Sequence, residues 1–381
     1  MYGFHSPSSL STDPNERVDF YSQFSNGSWA LNSIDGFGNI SDVASFQGSR
    51  YFTSVGFGLY KEQGNEIIRD IPGSGLQGDT VHISAIAGDR LWIAGSGAEP
   101  VHFLDAEGNW TSYSGSEVFD TFFKKILLSE TGIAWVLGNG EITVIDPNES
   151  QVDLLTTSDG IPSTATDMDI SIEDNSWVSS TEGPAFFPSA SFIFFSSEGI
   201  SPTFDGRILF EDQVINTVQT DGGNRIWFGT NRGLWVFDEN TAEQVAVFTI
   251  ENSPLPSDVI LDLAYDGATG EVFVATDKGM VSYRSASSTG ARQHSNVNIF
   301  PNPVRPDYSG LVGITGLARN ATIKVTDING NLVRELDANG GSASWDLRDQ
   351  NGSNLVTGIY FFFSSDRDAE ETFVGKIAVI R

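Results

Sequence analysis

Few side chains in this sequence could perform acid–base or metal chemistry. The four histidines, His5, His82, His102 and His294, are scattered along the chain, and no compact group of carboxylates accompanies them. His82 and His102 are the best pair, because they lie in two expected strands of one repeat and could share a metal ion. Two polar strand positions are the simpler interpretation. The sequence therefore predicts no metal site and no cofactor.

Two acidic turns have a composition similar to that of calcium-binding loops. They are Asp327-Ile-Asn-Gly330 and Asp105-Ala-Glu-Gly108. Both lack the downstream glutamate that supplies two oxygens to the ion in such loops, and both lack the spacing. We therefore predict that they are hairpin turns.

The sequence also gives no support for catalysis by a nucleophilic side chain or by a pair of carboxylates. The segment from Asp221 to Trp227 resembles the Asp-box of sialidase propellers, but the separation is one residue longer than that motif usually has, so the Asp-box is rejected. The serine-rich stretches lack the Gly-x-Ser-x-Gly pattern that exposes a catalytic serine. Because no paired acid and base emerges, we predict a protein without enzymatic activity.

One aromatic segment could bind a ligand without reacting with it. It runs from Pro184 to Phe195 and lies in the longest interval between repeats. Sugars and apolar partners pack on exposed rings, so four phenylalanines are candidates for a ligand surface. The candidates are Phe186, Phe187, Phe192 and Phe194. The alternative is a buried pair of strands.

The net charge of −29 restricts the partners that the chain can bind. Residues 298–381 contain ten acidic and eight basic residues, a balance of −2, so residues 1–297 carry −27. A surface this acidic repels phosphate backbones and bare anionic membranes, which excludes nucleic acid as a partner. Cysteine is absent, so there is no disulfide framework and no thiol chemistry.

The chain repeats an aromatic strand at regular intervals. The pattern is an aromatic residue in a short strand, then small residues, a glycine and a second apolar strand. The anchors, 40 to 50 residues apart, are Phe52, Trp92, Trp135, Trp177, Trp227 and Phe273. This period is typical of four-stranded propeller blades. We therefore predict an all-β fold, with a β-propeller of six or seven blades over residues 1–284.

Closure of this ring has two interpretations. The last of the six countable repeats lacks an outer strand after Tyr283, and the segment from Val18 to Leu31 could supply it. The alternative is a seventh blade outside this sequence. The first residues, Met1 to Pro7, have neither the basic nor the apolar part of a signal peptide. We therefore expect the chain to be a fragment of a longer protein.

A second domain is expected at the carboxy terminus. Residues 285–297 are predicted to be a linker, because residues 285–290 are small and polar enough to be flexible. Seven short apolar segments follow in residues 298–381, and the pair Asn329-Gly330 predicts a tight hairpin between two of them. This density of short strands predicts an immunoglobulin-like β-sandwich.

The carboxy-terminal residues resemble the sorting domain of the type IX secretion system of Bacteroidetes. The matching pieces occur in order: Phe300-Pro-Asn-Pro303, Thr326-Asp-Ile-Asn-Gly-Asn-Leu-Val333, Trp345-Asp346 with Asn351-Gly352, Thr357-Gly-Ile-Tyr360 and Gly375-Lys-Ile-Ala-Val-Ile380. The resemblance implies sorting or partner contacts for residues of the first and last pieces. They are Pro301, Asn302, Pro303, Lys376, Ile377 and Val379.

A second resemblance covers roughly residues 208–381. Residues 221–234 are similar to the propeller repeat shared with hybrid sensor kinases. Residues 252–260, 270–276 and 300–306 are similar to the end of the PorZ-type surface components of the type IX secretion system. Members of that family are longer and carry another propeller upstream.

The family resemblance implies a non-enzymatic, exported protein of the cell surface, associated with the outer membrane. Its implied partners are a sortase-like protease, outer-membrane components of the type IX system and anionic lipopolysaccharide. The alternative is a secreted propeller hydrolase or lyase that carries the sorting domain as ordinary cargo. A sensor propeller is disfavoured, because a sorting domain stands where a membrane helix and a kinase should follow.

The terminal strand is also expected to matter for partner binding. A sandwich has edge strands, and an edge can pair with a strand of another chain. The apolar segment from Phe373 to Ile380 ends the sequence, so we expect it to lie at such an open edge.

Overall fold

The computed structural model describes residues 2–5, 18–25, 28–35, 40–54, 58–63, 66–69, 76–87, 89–118, 123–195, 198–285, 287–290, 293–365 and 371–381. These residues form β-strands and turns, with two single-turn 3-10 helices, Thr157–Asp159 and Ala190–Phe192. Among them, no helix is long and apolar enough to span a membrane. The predicted all-β class is confirmed. The chain divides into two compact units, residues 1–170 with 174–218, and residues 171–173 with 219–381.

The first unit consists of antiparallel sheets whose strands follow one another in chain order. Short turns join neighbouring strands, so local hairpins set the register of each sheet. The sheets are β1 (Tyr2–His5), β2 (Val18–Ser25) and β3 (Ser28–Asp35); β4 (Ile40–Phe46), β5 (Ser49–Ser54), β6 (Gly58–Gln63) and β7 (Glu66–Arg69); β8 (Leu76–Ala87), β9 (Arg90–Gly97), β10 (Val101–Leu104) and β11 (Trp110–Tyr113); β12 (Lys125–Leu128), β13 (Ala134–Leu137), β14 (Ile142–Asp146) and β15 (Gln151–Leu155); β16 (Ala165–Ile170), β17 (Ser176–Ser180) and β18 (Ala185–Phe187); and β19 (Thr203–Phe204) with β20 (Arg207–Ile208).

Two further sheets of the same kind come next in the chain, and the unit boundary falls within the first of their strands. They are β21 (Ile215–Thr220), β22 (Ile226–Thr230), β23 (Gly233–Phe237) and β24 (Gln244–Phe248), and then β25 (Ile260–Asp266), β26 (Glu271–Thr276) and β27 (Gly279–Arg284).

The six anchor aromatics lie in the second strands of successive sheets, namely β5, β9, β13, β17, β22 and β26. All six are buried, and the most exposed of them, Phe273, has only 6% of its surface accessible. Burying a ring of this size stabilises a sheet by roughly 3 kcal/mol, so one large aromatic per repeat is a strong packing requirement. The predicted repeat of aromatic strands is therefore confirmed.

The segment proposed to close the last sheet lies elsewhere. Strand β2 pairs with β1 and β3, with Phe20 opposite His5 and Ser33. The sheet that ends at Arg284 has the three strands β25, β26 and β27 in the part of the chain described. Of the two interpretations of ring closure, the one that adds a strand from residues 18–31 to this sheet was therefore wrong. Pairing with adjacent segments closes short loops and costs less entropy than pairing with the far end of the repeats.

In the described residues after 297 there are seven strands, as predicted. They form two sheets, in the spatial orders β28-β29-β32 and β31-β30-β33-β34. The strands are β28 (Asn298–Phe300), β29 (Val312–Thr315), β30 (Thr322–Thr326), β31 (Leu332–Asp337), β32 (Ser342–Trp345), β33 (Gly358–Ser365) and β34 (Glu371–Val379). Both sheets contribute to one apolar core. At its centre the Trp345 ring meets the Phe362 ring edge-on at 5.7 Å, and its indole N–H donates to the carbonyl of Arg348 at 2.9 Å.

The two acidic turns are hairpins, as predicted. The Asp327 carboxylate accepts the amides of Asn329 and Asn331 at 2.8 and 2.9 Å within the β30–β31 turn. The Asp105 carboxylate accepts the amide of Asn109 at 2.7 Å within the β10–β11 turn. Hydrogen bonds from Asn331 and from Asn109 lower the pKa of Asp327 and of Asp105, respectively. The carboxylates therefore hold their own turns closed.

The segment 285–290 differs from the flexible linker that its composition predicts. Ser285 and Ser287 are buried, at 7% and 1% exposure. The Thr289 amide donates to the carbonyl of Gly267 at 2.9 Å, and the Gly341 amide donates to the carbonyl of Ser288 at 2.7 Å. Backbone hydrogen bonds therefore link this segment both to the turn between β25 and β26 and to the loop before β32. The domain boundaries predicted from the sequence lie inside the second unit and stay a prediction.

A glycine makes this close packing possible. A Cβ atom placed on Gly222 would lie 2.3 Å from the carbonyl carbon of Ser288, which is closer than any side chain can approach a backbone. Only glycine fits at this position, because its missing side chain lets two backbones touch.

Candidate functional site

The structure brings together the two groups of sorting residues that the sequence separates. The Asn302 side chain donates to the carbonyl of Lys376 at 3.0 Å, and its oxygen accepts the amide of Ala378 at 3.2 Å. The Asn302 side-chain amide thus takes the place of a backbone partner along the outer edge of β34, the last strand of its sheet. Asn302 is therefore a structural partner of the carboxy-terminal strand.

Val304, the residue after Pro303, forms two further hydrogen bonds with the carboxy-terminal strand. The Val304 amide donates to the carbonyl of Ala378 at 2.8 Å, and the Ile380 amide donates to the carbonyl of Val304 at 3.0 Å. Val304 and Val379 thereby form a parallel bridge. We call residues 301–304 the covering segment. It contains Pro301 and Pro303, which donate no backbone hydrogen bond and so leave these contacts to Asn302 and Val304.

The covered strand points its alternate side chains inward. Ile377 and Val379 are 0% and 1% exposed and belong to the apolar core, whereas Lys376 is exposed. Strand addition along residues 376–380 is blocked, because Asn302 and Val304 already occupy that edge. The expectation that this strand lies at an edge of its sheet is confirmed, but an earlier segment folds back over that edge at residues 376–380.

The four candidate phenylalanines do not form one surface. Phe187 is fully buried and packs edge-on against Trp135, with their ring centroids 5.9 Å apart. The ring centroids of Phe186 and Trp177 are 4.8 Å apart. Phe194 is partly buried against the same core as Phe187. Phe192 is 62% exposed.

Phe195, which the sequence analysis left out, is the most exposed ring of this region at 87%, and it lies 6.4 Å from Phe192. The two carboxylate oxygens of Asp174 accept the amides of Glu130 and Ser191 at 2.9 and 2.8 Å, which fixes the turn that presents this pair. A ligand surface that includes Phe192 stays a prediction.

The strongest polar network surrounds Asp221. Its carboxylate accepts the Arg225 Nε–H at 2.8 Å, the Trp227 indole N–H at 3.0 Å and the Ser285 hydroxyl at 3.2 Å. It also accepts the amide of Gly223 at 2.9 Å. Asp221 and Trp227 are therefore in direct contact, although their spacing differs from that of an Asp-box.

This network has a structural role. The Asp221 side chain is 0% exposed, and Arg225 neutralises its charge through a contact of 2.7 Å. Arg225 also donates to the hydroxyls of Ser285 and Ser287, the latter at 3.0 Å. These donors occupy both carboxylate oxygens, so the buried side chain is held within the fold and is not presented to a substrate. The network instead fixes the segment that precedes the sorting-type domain.

The two histidines proposed as a metal pair lie on strands separated by β9. His102 pairs with Ile93, and Ile93 pairs with Ser84, so the backbone of His82 is out of register with His102. His102 is buried, its Nδ1 lies 2.9 Å from the Ser112 hydroxyl, and burial lowers its pKa, so the ring is neutral at pH 7. Among the described residues, no three histidine, aspartate or glutamate side chains form a group that could hold a metal ion.

Comparison with known proteins assigns the carboxy-terminal segment. Residues 298–379 match the family of secretion system C-terminal sorting domains. No curated protein sequence matches the chain.

Solved structures resemble the whole chain. PorZ, an essential surface component of the type IX secretion system of Porphyromonas gingivalis, is 20% identical, with a TM-score of 0.62 over 100% of this chain. This chain spans 58% of the length of PorZ. The extracellular domain of a hybrid two component system from B. thetaiotaomicron is 14% identical, with a TM-score of 0.52 over 99% of this chain and 57% of its own.

The resemblance to PorZ-type components thus holds at the level of the fold, and residues 298–379 match the secretion system C-terminal sorting domains.

Proposed function

We propose that this chain is part of an exported, non-enzymatic surface component of the type IX secretion system that keeps its sorting domain. In this proposal residues 1–284 are a β-propeller of six or seven blades, residues 285–297 are the connection, and residues 298–381 are an immunoglobulin-like sorting domain. The protein contributes to cargo maturation and anchoring at the outer membrane by binding other components.

The observation that carries this proposal is the packing of Ser285 and of residues 287–290, the first part of the segment before the sorting domain. A protease needs an exposed and locally mobile stretch of chain. Ser285 and Ser287 are instead buried beside Arg225, and the backbones of Ser288 and Thr289 are hydrogen-bonded. At these residues the connection resists a cut that would release the domain from an ordinary cargo protein.

The proposed partners are the sortase-like protease, outer-membrane components of the type IX system and anionic lipopolysaccharide. The charge distribution favours contacts of these partners with residues 298–381. Residues 1–297 carry −27 and repel acidic partners, whereas residues 298–381 carry −2.

Mass spectrometry of the protein at the bacterial surface tests the proposal. We expect peptides that end at Arg381, with the sorting domain still attached. A cargo protein of the same cells serves as the control and should lack its own sorting domain. A new carboxy terminus within residues 285–297 would contradict the proposal and favour the alternative, a propeller hydrolase or lyase carried as cargo.

A further inference from the structure

One end of the sorting domain packs directly on the chain that precedes it. This docked end consists of two turns, residues 318–320 before β30 and residues 339–341 before β32. Both turns belong to the same compact unit as residues 171–173 and the strands β22 to β27. The contacts of the docked end with these residues are therefore internal to one unit.

The first turn is held by a segment that is distant in the sequence. The Arg319 guanidinium donates to the carbonyl of Ile172 at 2.7 Å, and the Asn320 side-chain amide donates to the Glu173 carboxylate at 3.1 Å. Each of these bonds spans 147 residues. Hydrogen bonds with a charged partner are stronger than neutral ones, so both contacts stabilise this side of the interface.

The second turn lies against the segment 287–290. The Gly341 amide donates to the carbonyl of Ser288 at 2.7 Å, and Gly340 and Ser288 form a parallel bridge. A Cβ atom placed on Gly340 would overlap the carbonyl oxygens of Gly222 and Ser288. The backbones of the two sides therefore touch here, and the fit leaves no room for a side chain.

The segment 287–290 is itself fixed to the earlier strands. The Thr289 amide donates to the carbonyl of Gly267 at 2.9 Å, and the Tyr265 hydroxyl donates to the carbonyl of Ser287 at 3.2 Å. If the chain were broken after residue 290, these bonds would keep the segment in its place in the interface. The surface that receives the docked end, which we call the seat, consists of residues 171–173, Gly222 and residues 287–290.

We propose that the seat binds the sorting domain without help from the covalent connection, so that a cut between residues 290 and 298 leaves the domain in place. The partner of the seat is then the sorting domain as a separate chain. It is recognised by its shape at Gly340 and by the hydrogen bonds of Arg319, Asn320 and Gly341. The inference goes beyond the proposed function, because it holds whether or not the connection is cut in the cell. Cleavage alone would not separate the sorting domain from the rest of the protein.

Cleavage of the full chain at one engineered site tests this proposal. A recognition sequence for a site-specific protease is inserted between residues 291 and 292, the purified protein is cut, and the pieces are examined by size-exclusion chromatography. Most of the small piece should co-elute with the large one at about 10 µM, which requires a dissociation constant of about 1 µM or tighter. Denaturing electrophoresis confirms that the cut is complete.

Two substitutions in the docked end should release the small piece. Gly340→Ala inserts a methyl group where the two backbones touch, and Arg319→Ala removes the charged donor to Ile172. We expect the first to weaken the association about thirtyfold or more and the second about tenfold. Arg319→Ala keeps the test valid if Gly340→Ala does not fold.

Two matched variants control for general effects. Gly352 shares the positive φ of Gly340, at 79° and 61° respectively, but a Cβ atom on Gly352 meets open space. Arg305 is exposed. Gly352→Ala and Arg305→Ala should therefore stay associated after the cut, like the unchanged chain. Thermal unfolding of each uncut variant confirms that it is folded.

Separation of the two pieces of the unchanged chain after the cut would overturn the proposal. Co-elution that both Gly340→Ala and Arg319→Ala leave intact would overturn it as well, because other contacts would then hold the pieces. Mass spectrometry of the surface protein decides independently whether the connection is cut in the cell. An uncut domain at the surface together with pieces that separate after the engineered cut would support the proposed function and refute this inference.

Discussion

The side-chain amide of Asn302 donates to the backbone carbonyl of Lys376 at 3.0 Å, although 74 residues separate the two in the chain. The same side chain accepts the amide of Ala378. It therefore satisfies a donor and an acceptor of the last strand that would otherwise be available to another chain.

Asn302→Ala should destabilise the sorting domain by about 1–2 kcal/mol, because it removes two hydrogen bonds and replaces neither. The measurement is the free energy of unfolding from urea titration of the full chain. Asn351→Ala, on an exposed turn of the same domain, is the control and should cost a few tenths of a kcal/mol at most. Equal stability of the Asn302 variant and the control would show that the contact contributes nothing.

Asp221→Asn should lower the free energy of unfolding, measured by urea titration of the full chain, by about 3 kcal/mol or more. The substitution leaves the Arg225 guanidinium partly buried without its carboxylate. It also weakens the bond to the indole of Trp227. Asp205→Asn is the matched control, because Asp205 is exposed and its positive φ of 52° suits asparagine. A loss no larger than that of the control would mean that the network is not needed for stability.

Arg225→Ala should expose the segment before the sorting domain to proteases. The guanidinium donates to the hydroxyls of Ser285 and Ser287, and its removal leaves them without that partner. Cleavage within residues 285–297 by thermolysin should become about tenfold faster, because local opening costs less free energy. Arg232→Ala, at an exposed position, should be cleaved like the unchanged protein. An unaltered rate in the Arg225 variant would remove the main support for retention of the domain.

The buried His102 should make stability depend on pH. Burial holds its pKa in the folded chain below the ordinary value of 6.5, so the unfolded chain binds a proton that the folded chain does not. The stability from neutral His102 is present above pH 6.5 and is lost as pH falls from there towards the lower folded pKa. His102→Gln should therefore lose less stability than the unchanged protein between pH 7 and pH 5.5, as measured by urea unfolding. The same loss in both proteins would contradict this.

Local patterns in the sequence predicted the strands well. The anchors such as Trp92 and Trp135 reveal the repeat because one large ring per sheet must be buried, and the turn at Gly330 follows from its neighbours alone. Such local patterns do not predict contacts between residues that are far apart in the sequence. The bond between Asp221 and Ser285 spans 64 residues, and nothing in either local sequence indicates it.

The same limit explains the errors in the candidate site. Small polar residues at 285–290 resemble a flexible linker, because composition alone does not reveal that Arg225 and Gly267 bind them. Phe187 and Phe192 look alike in sequence, yet one is buried at 0% exposure and the other is 62% exposed. Which ring faces solvent depends on the fixed turn at Asp174, a contact that only the fold supplies.

The parallel bridge between Val304 and Val379 has a mechanical consequence. Val304 lies near the beginning of the sorting domain and Val379 at its end. A pull between the two ends of the domain therefore draws these two residues in opposite directions. The hydrogen bonds of Val304 with Ala378 and Ile380 then carry the load together, in shear, instead of opening one after another. A domain clamped in this way resists tension along the chain.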